Sequence, residues 1–382
     1  MTSRERVRAV LAGEVPDRVP LIIGVSNATG IKMGTYRKFK TLVGIEEPER
    51  YLYDWPELGT AQPGDAGLAR LRSDARPIHD RFPREVHEAN ASRPPHEPYV
   101  DSWGSGAIEI AAGEWFPGVH PLADATTPEE ILAYDGWPDM DDPYRVAHVS
   151  EEAARLAREN RFAIMATPWL LFPVERAFAM QGMDTFLLNL AAYPETAVAL
   201  LEKNLELCKT LMAHVLDALG PNVDIIKIGD DLGTQESLLL SPAMYRELIK
   251  PIHAEYIAFI RERTDAAVFF HTDGDVFDLI PDFIEMGVDI LNPIQTSAGR
   301  MSDLARLKGE YGNSIVFCGG IDTHHVLPNG TPDEVRAEVK RVIDLLGPGG
   351  GYMVASVHTI MNDVPAENVL AMVDAVEEYG YY

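Results

Sequence analysis

The stretch Phe269-Phe270-His271-Thr272-Asp273-Gly274 closes a short apolar run with a histidine and, two residues later, an aspartate. On an extended segment residues two apart face the same side, so His271 and Asp273 point together. Such a pair can handle a proton. With a third ligand from another strand it can also hold a metal ion, and His, carboxylate and His suit Zn2+ or non-haem Fe2+. The plainer reading is a polar strand end whose side chains bond each other and the nearby backbone.

Asp230-Asp231 is a second candidate, followed by Leu232-Gly233-Thr234-Gln235. Adjacent carboxylates at a strand end face opposite ways, so at most one reaches a site and the other caps a loop. Gly347-Pro348-Gly349-Gly350-Gly351 lacks the Lys-Ser/Thr of a phosphate-binding loop and precedes a strand, so it reads as a turn. His324-His325 reads as a solvated loop pair behind Asp322. No Gly-x-Ser-x-Gly elbow occurs, which leaves no case for a nucleophilic serine.

The elements that must position these residues alternate strand and helix. Strands are expected at 223–229, 267–271, 288–292, 315–318 and 352–355, with earlier ones at 19–25, 75–79 and 162–166. Helices are expected between them, one opened by Ser241-Pro242 and another by the capping-box-like Thr331-Pro332-Asp333-Glu334. About eight strands in strict alternation favour a closed parallel (β/α)8 TIM barrel over a doubly wound sheet. Residues 84–148 break the alternation and read as a hairpin-and-loop insertion after the second strand of a single domain, 1–382.

A parallel barrel gathers its chemistry at the C-terminal strand ends. Those ends carry Ser26 and Asn27; Thr167 and Trp169; Asp230 and Asp231; His271 and Asp273; Asn292 and Gln295; Gly319, Gly320 and Asp322; and His358. A ring of polar ends is harder to explain by stability than a single one. Asn27, Trp169, Asp230, Gln235, Asn292 and Asp322 are the expected substrate contacts.

Composition sets outer limits. The 382 residues are 46% hydrophobic and 24% charged, with a formal net charge of −26. That charge argues against nucleic acid and against an anionic membrane surface as partners. Two cysteines, Cys208 and Cys318, cannot form a disulfide framework, which suggests a reducing cytoplasm. No signal-peptide pattern or bilayer-length apolar run is seen.

The motifs together resemble the uroporphyrinogen decarboxylase superfamily, which includes corrinoid-dependent methyltransferases. The resemblance runs from Pro16-Asp17-Arg18-Val19-Pro20 through Ile228-Gly229-Asp230-Asp231-Leu232-Gly233 and His271-Thr272-Asp273-Gly274. It continues to Gly319-Gly320-Ile321-Asp322, Gly330-Thr331-Pro332-Asp333-Glu334 and Pro365-Ala366-Glu367-Asn368. It implies a single (β/α)8 barrel and a homodimer.

The decarboxylase's arginine-bearing Met-Arg-Gln-Ala-Gly segment is replaced by Gly24-Val25-Ser26-Asn27-Ala28-Thr29-Gly30, which has no cation for an anionic porphyrinogen. The methyltransferase branch binds zinc through His-x-Cys-Gly and a later cysteine. Aligned on that pattern, this chain offers His271, Asp273 and His358, with Asp and His in place of the two cysteines. The resemblance thus implies a Zn2+ (or Fe2+) site suited to an oxygen leaving group, O-demethylation of a small methylated compound, and a separate corrinoid protein as methyl acceptor. Two other readings stand beside it. One is a metal-independent decarboxylase or lyase on a smaller substrate, with His358 and Asp231 as proton handlers. The other is a non-catalytic binding protein on the same barrel.

Overall fold

The computed structural model describes residues 1–94, 97–111, 114–169 and 172–382. One sheet of seven parallel strands runs in the order Ala75–Ile78, Ala163–Ala166, Ile225–Gly229, Ala267–His271, Ile290–Ile294, Val316–Ile321 and Tyr352–Ser356. Spatial order equals chain order, as expected when each strand returns beside the last through a covering helix. The helices Pro194–Leu219, Lys250–Arg261, Pro332–Leu346 and Ala366–Tyr379 are the longest of these covers.

Alternation along each strand divides the apolar residues into two cores. Ala163, Met165, Ile225, Phe269, Ile290, Cys318 and Met353 pack together on one face. Ile164, Ile226, Ile228, Val268, Phe270, Leu291 and Val354 pack with the helices on the other. A sheet whose strands share a compact inner core is a curled one, and the fold is TIM-barrel-like.

The eighth strand expected at 19–25 is not a regular strand. Leu21 makes a single parallel bridge to Val354. The Ile22 N–H donates to Val354 O (2.9 Å), the Val354 N–H to Pro20 O (2.8 Å), and the Asp74 N–H to Leu21 O (2.8 Å). The segment therefore lies between the last strand and the residue preceding the first. Pro20 has no N–H to give a ladder, and Gly24 turns the chain at φ +72°, so pairing stops there.

Other boundaries moved for local reasons. The helix between the strands Ala267–His271 and Ile290–Ile294 begins as a 3-10 turn, Phe277–Leu279, before Ile280–Met286. The helix opened by Ser241 carries a π-helical stretch, Tyr245–Ile249, ahead of Pro251, which cannot donate to the ladder. Thr331 forms the expected capping box with Glu334.

Between the first two sheet strands lie a helix, Arg84–Ala91, and a separate antiparallel sheet of Tyr99–Val100, Gly106–Ala111 and Glu114–Val119. The stretch expected as a hairpin insertion, 84–148, thus holds a third strand and two α-helices, Arg84–Ala91 and Pro128–Leu132, as well. Its positions 95–96, including His96, and 112–113 lie outside the described residues. Arg176, on the helix Pro173–Gln181, ties this sheet to the rest through Asp101 (2.6 Å). Among the described residues no helix is long and apolar enough to cross a membrane. Cys208 and Cys318 are both buried and free.

Candidate metal centre and active-site cavity

His271 ends one sheet strand with Asp273 two residues past it, and His358 follows the last strand, Tyr352–Ser356. One ligand atom from each of the three lies within 4.8 Å of the others. The His358 Nε2 stands 3.8 Å from Asp273 Oδ2, too far for a hydrogen bond. The His271 and His358 rings are 5.5 Å apart by centroid.

The next strand orients His271. Asn292 Nδ2 donates to the Cys318 carbonyl (3.3 Å), which turns Asn292 Oδ1 toward His271 Nδ1 at 2.8 Å. An amide oxygen only accepts, so Nδ1 carries the proton and Nε2 keeps its lone pair. This is the partner arrangement that fixes a metal-binding imidazole. Burial, and then Lys227, hold His271 well below the usual histidine range. The same two causes lower His358 to about 4. Both rings are neutral at pH 7, as ligation requires.

Asp273 is the least satisfied group. Its Oδ1 is buried with no partner among the described residues. Burial, and then Asp231, raise its carboxyl well above the usual range. Asp231 takes the Asp273 N–H at 2.9 Å and is itself raised by burial. Glu175 is raised well above its usual range, by burial and then by Asp231. Three carboxyl groups thus face one ammonium, Lys227, which burial lowers to about 8. Such an excess of buried negative charge must take up protons or a cation. The under-satisfied Asp273 carboxyl and the two neutral imidazoles fit a divalent metal ion with mixed N and O ligands.

Beside this cluster is a cavity of about 180 Å3, lined by Asn27, Trp169, Phe172, Glu175, Lys227 and Asp231 together with Tyr53, His271 and His358. A cavity of this volume suits a small occupant. A larger hollow of about 560 Å3 also has Tyr53 in its lining but carries none of the three metal-capable residues.

Of the expected substrate contacts, Asn27 and Trp169 line the cavity. The other four do not. Asp230 is fully buried and accepts from the Glu175 N–H (2.6 Å), with His253 Nε2 at 2.9 Å on its other oxygen. Adjacent residues face opposite ways, and it is Asp231 that faces in. Asn292 is committed to His271 and Cys318. Asp322 accepts the N–H groups of His324 and His325 and so caps a turn. Gln235 sits on an exposed turn. Cys318 belongs to the inner apolar core, where burial pushes its thiol up to about 12.

Sequence reasoning missed Lys227, Glu175 and Tyr53. The signal for Lys227 was its register. Ile225 packs in the inner core, so Lys227, two residues on, faces the interior too. Glu175 sits in the first turn of its helix, where an acid reads as a partner for the helix dipole.

The uroporphyrinogen decarboxylase (URO-D) family profile matches residues 109–379, well over half the chain. The chain belongs to the uroporphyrinogen decarboxylase family. Among relatives of this URO-D-family chain is uroporphyrinogen decarboxylase of Legionella pneumophila, 26% identical over 289 residues, which span 73% of this chain and 75% of that one. Another is the methylated-thiol–coenzyme M methyltransferase of Methanosarcina mazei, 22% identical over 265 residues, spanning 66% of this chain and 63% of that one. The solved structure of a methyltransferase from Methanosarcina mazei superposes over 99% of both chains, with a TM-score of 0.66 at 18% identity, a likeness of fold. The relatives of the URO-D-family chain are thus enzymes, decarboxylases and a methyltransferase.

Proposed function

We propose that the chain removes a methyl group from a small O-methylated compound and passes it to a corrinoid carried by a separate protein. The observation that carries this reading is the Asp273 carboxyl, whose Oδ1 has no partner among the described residues, grouped with two neutral imidazoles at the edge of a small cavity. His271, Asp273 and His358 would hold Zn2+, with Fe2+ the alternative. When bound, the dication supplies Lewis acidity toward the ether oxygen.

The chain's own residues do the rest. Asn292 fixes the His271 tautomer and ring plane. Asp231 anchors the Asp273 backbone and presents a carboxyl to the cavity. Trp169, Tyr53 and Phe172 give the site apolar walls that orient a small substrate and limit water. A cavity of about 180 Å3 with, among the described residues, a single lining cation is poorly suited to a multiply anionic porphyrinogen.

The test is methyl transfer. Purified protein is incubated with cob(I)alamin and a panel of alkyl and aryl methyl ethers, and methylcobalamin formation is followed optically. Formation with at least one ether supports the reading; none with any ether overturns it.

One observation favours a second reading, a metal-independent lyase. The Asp231 carboxyl, raised by burial, would serve as a proton donor without a metal. Metal-free purified protein with activity unchanged by chelators would favour it. In either case we read the chain as a cytoplasmic homodimer, to be checked by native mass measurement.

A further inference from the structure

Lys227 has no task in the reading above. It lies on the strand Ile225–Gly229, inward-facing and 5% exposed. Its Nζ sits 4.4 Å from the centre of the Phe172 ring. Among the described residues no carboxylate comes within the 4.0 Å of an ion pair. Glu175, Asp231 and Asp273 act on it from farther away and favour its charged form against burial.

A purely structural buried lysine would be expected to hold a carboxylate directly, because an unpaired buried ammonium costs several kcal/mol. Lys227 instead presents its ammonium to the cavity that His271 and His358 also line. A cation kept unpaired at a small cavity is placed to meet negative charge that develops during a reaction.

We infer that Lys227 is the proton donor to the oxygen that leaves when the methyl group is transferred. This rests on the methyltransferase reading. The electron pair of a corrinoid in its cob(I) state attacks the methyl carbon. The C–O bond breaks, and its electron pair stays on oxygen. That oxygen takes a proton from Nζ, giving an alcohol or phenol, methylcob(III) and a neutral amine. A solvent proton restores the ammonium. The face of Phe172 steadies the charged form, and Glu175 and Asp231 keep it favourable inside the barrel.

The experiment compares the unaltered protein with Lys227→Met and Lys227→Gln across aryl methyl ethers of graded phenol acidity, from nitro-substituted to methyl-substituted, with an alkyl methyl ether at the end. Thermal melting confirms that each variant is folded. A proton donor matters most for the poorest leaving group. The expected loss is therefore about 10²–10⁴-fold on the alkyl ether and falls steadily toward the nitro-substituted ether. A uniform loss across the series overturns the proposal while leaving methyl transfer standing. Absence of transfer by the unaltered protein overturns the methyltransferase reading and this proposal together.

A second measurement does not need turnover. Nitrophenol, the demethylated product of the nitro-substituted ether and the most acidic phenol of the series, is titrated optically while bound. Its yellow phenolate form should persist to lower pH in the unaltered protein than in Lys227→Met. An identical titration in both overturns the assignment.

Discussion

His271 and Asn292 face each other from adjacent parallel strands, ring Nδ1 to amide Oδ1 at 2.8 Å, and the same amide is pinned from its other end by the Cys318 carbonyl. The pin makes the amide a one-way acceptor, which sets where the imidazole keeps its free lone pair. Asn292→Ala should therefore lower metal affinity by about 10–100-fold without removing a ligand. Competition against a chromophoric chelator measures it, and an unchanged affinity would show that the amide does not orient the ring.

Metal content should depend on all three ligands. Purified protein is expected to bind one divalent ion per chain. Asp273→Asn and His358→Ala should each abolish stoichiometric binding, as read by elemental analysis after dialysis against Zn2+. Metal should also raise the melting temperature of the unaltered protein and not that of Asp273→Asn.

The carboxyl cluster makes the metal-free protein sensitive to alkali. Asp273, Asp231 and Glu175 are all raised in the folded state by burial, so above their unfolded pKa values the native state binds more protons than the unfolded chain. Stability should then fall as pH rises from the ordinary carboxylate range through the raised folded values. A divalent ion replaces the protons, so urea midpoints across pH should be flatter with Zn2+ than with chelator. Parallel curves would argue against a cation at this cluster.

His79 works in the opposite direction. It is 8% exposed, its Nδ1 lies 2.7 Å from Thr167 Oγ1, and burial lowers it from 6.5 to about 4. Between those values the unfolded chain binds the extra proton. Stability is therefore complete above about pH 6.5 and lost on acidification toward about 4, with a full effect on the order of 3 kcal/mol. His79→Gln should flatten this acid limb in urea unfolding; an unchanged limb would assign it to other groups.

Much of the architecture could be read from strand spacing. Ala267–His271 and Tyr352–Ser356 lie within a residue of expectation because short apolar runs end there at polar residues. Period-two facing also brought His271 and Asp273 to one side, while the distance to His358 needed the family alignment. Lys227 stayed hidden because one lysine in Ile225-Ile226-Lys227-Ile228 resembles a solvent-facing interruption until the strand's inner face is known. Glu175 was hidden for another reason. The Asp230 carboxylate, 55 residues away in sequence, accepts from its backbone N–H, a relation no local pattern carries. Asn292 was expected to meet substrate, but a strand-end amide looks the same whether it faces a ligand or a neighbouring imidazole.

The bridge between Leu21 and Val354 has a consequence for biosynthesis. A ribosome making this chain releases Pro20–Ile22 long before Tyr352–Ser356 exists, so the seam cannot form while most of the sheet is emerging. Until then the trailing border of the growing sheet stays unpaired, and the cavity lacks His358. Sheet borders left open in this way invite association with other chains. The nascent protein should therefore depend on chaperones until its last strand appears, and it should become competent to bind metal only at that final closure.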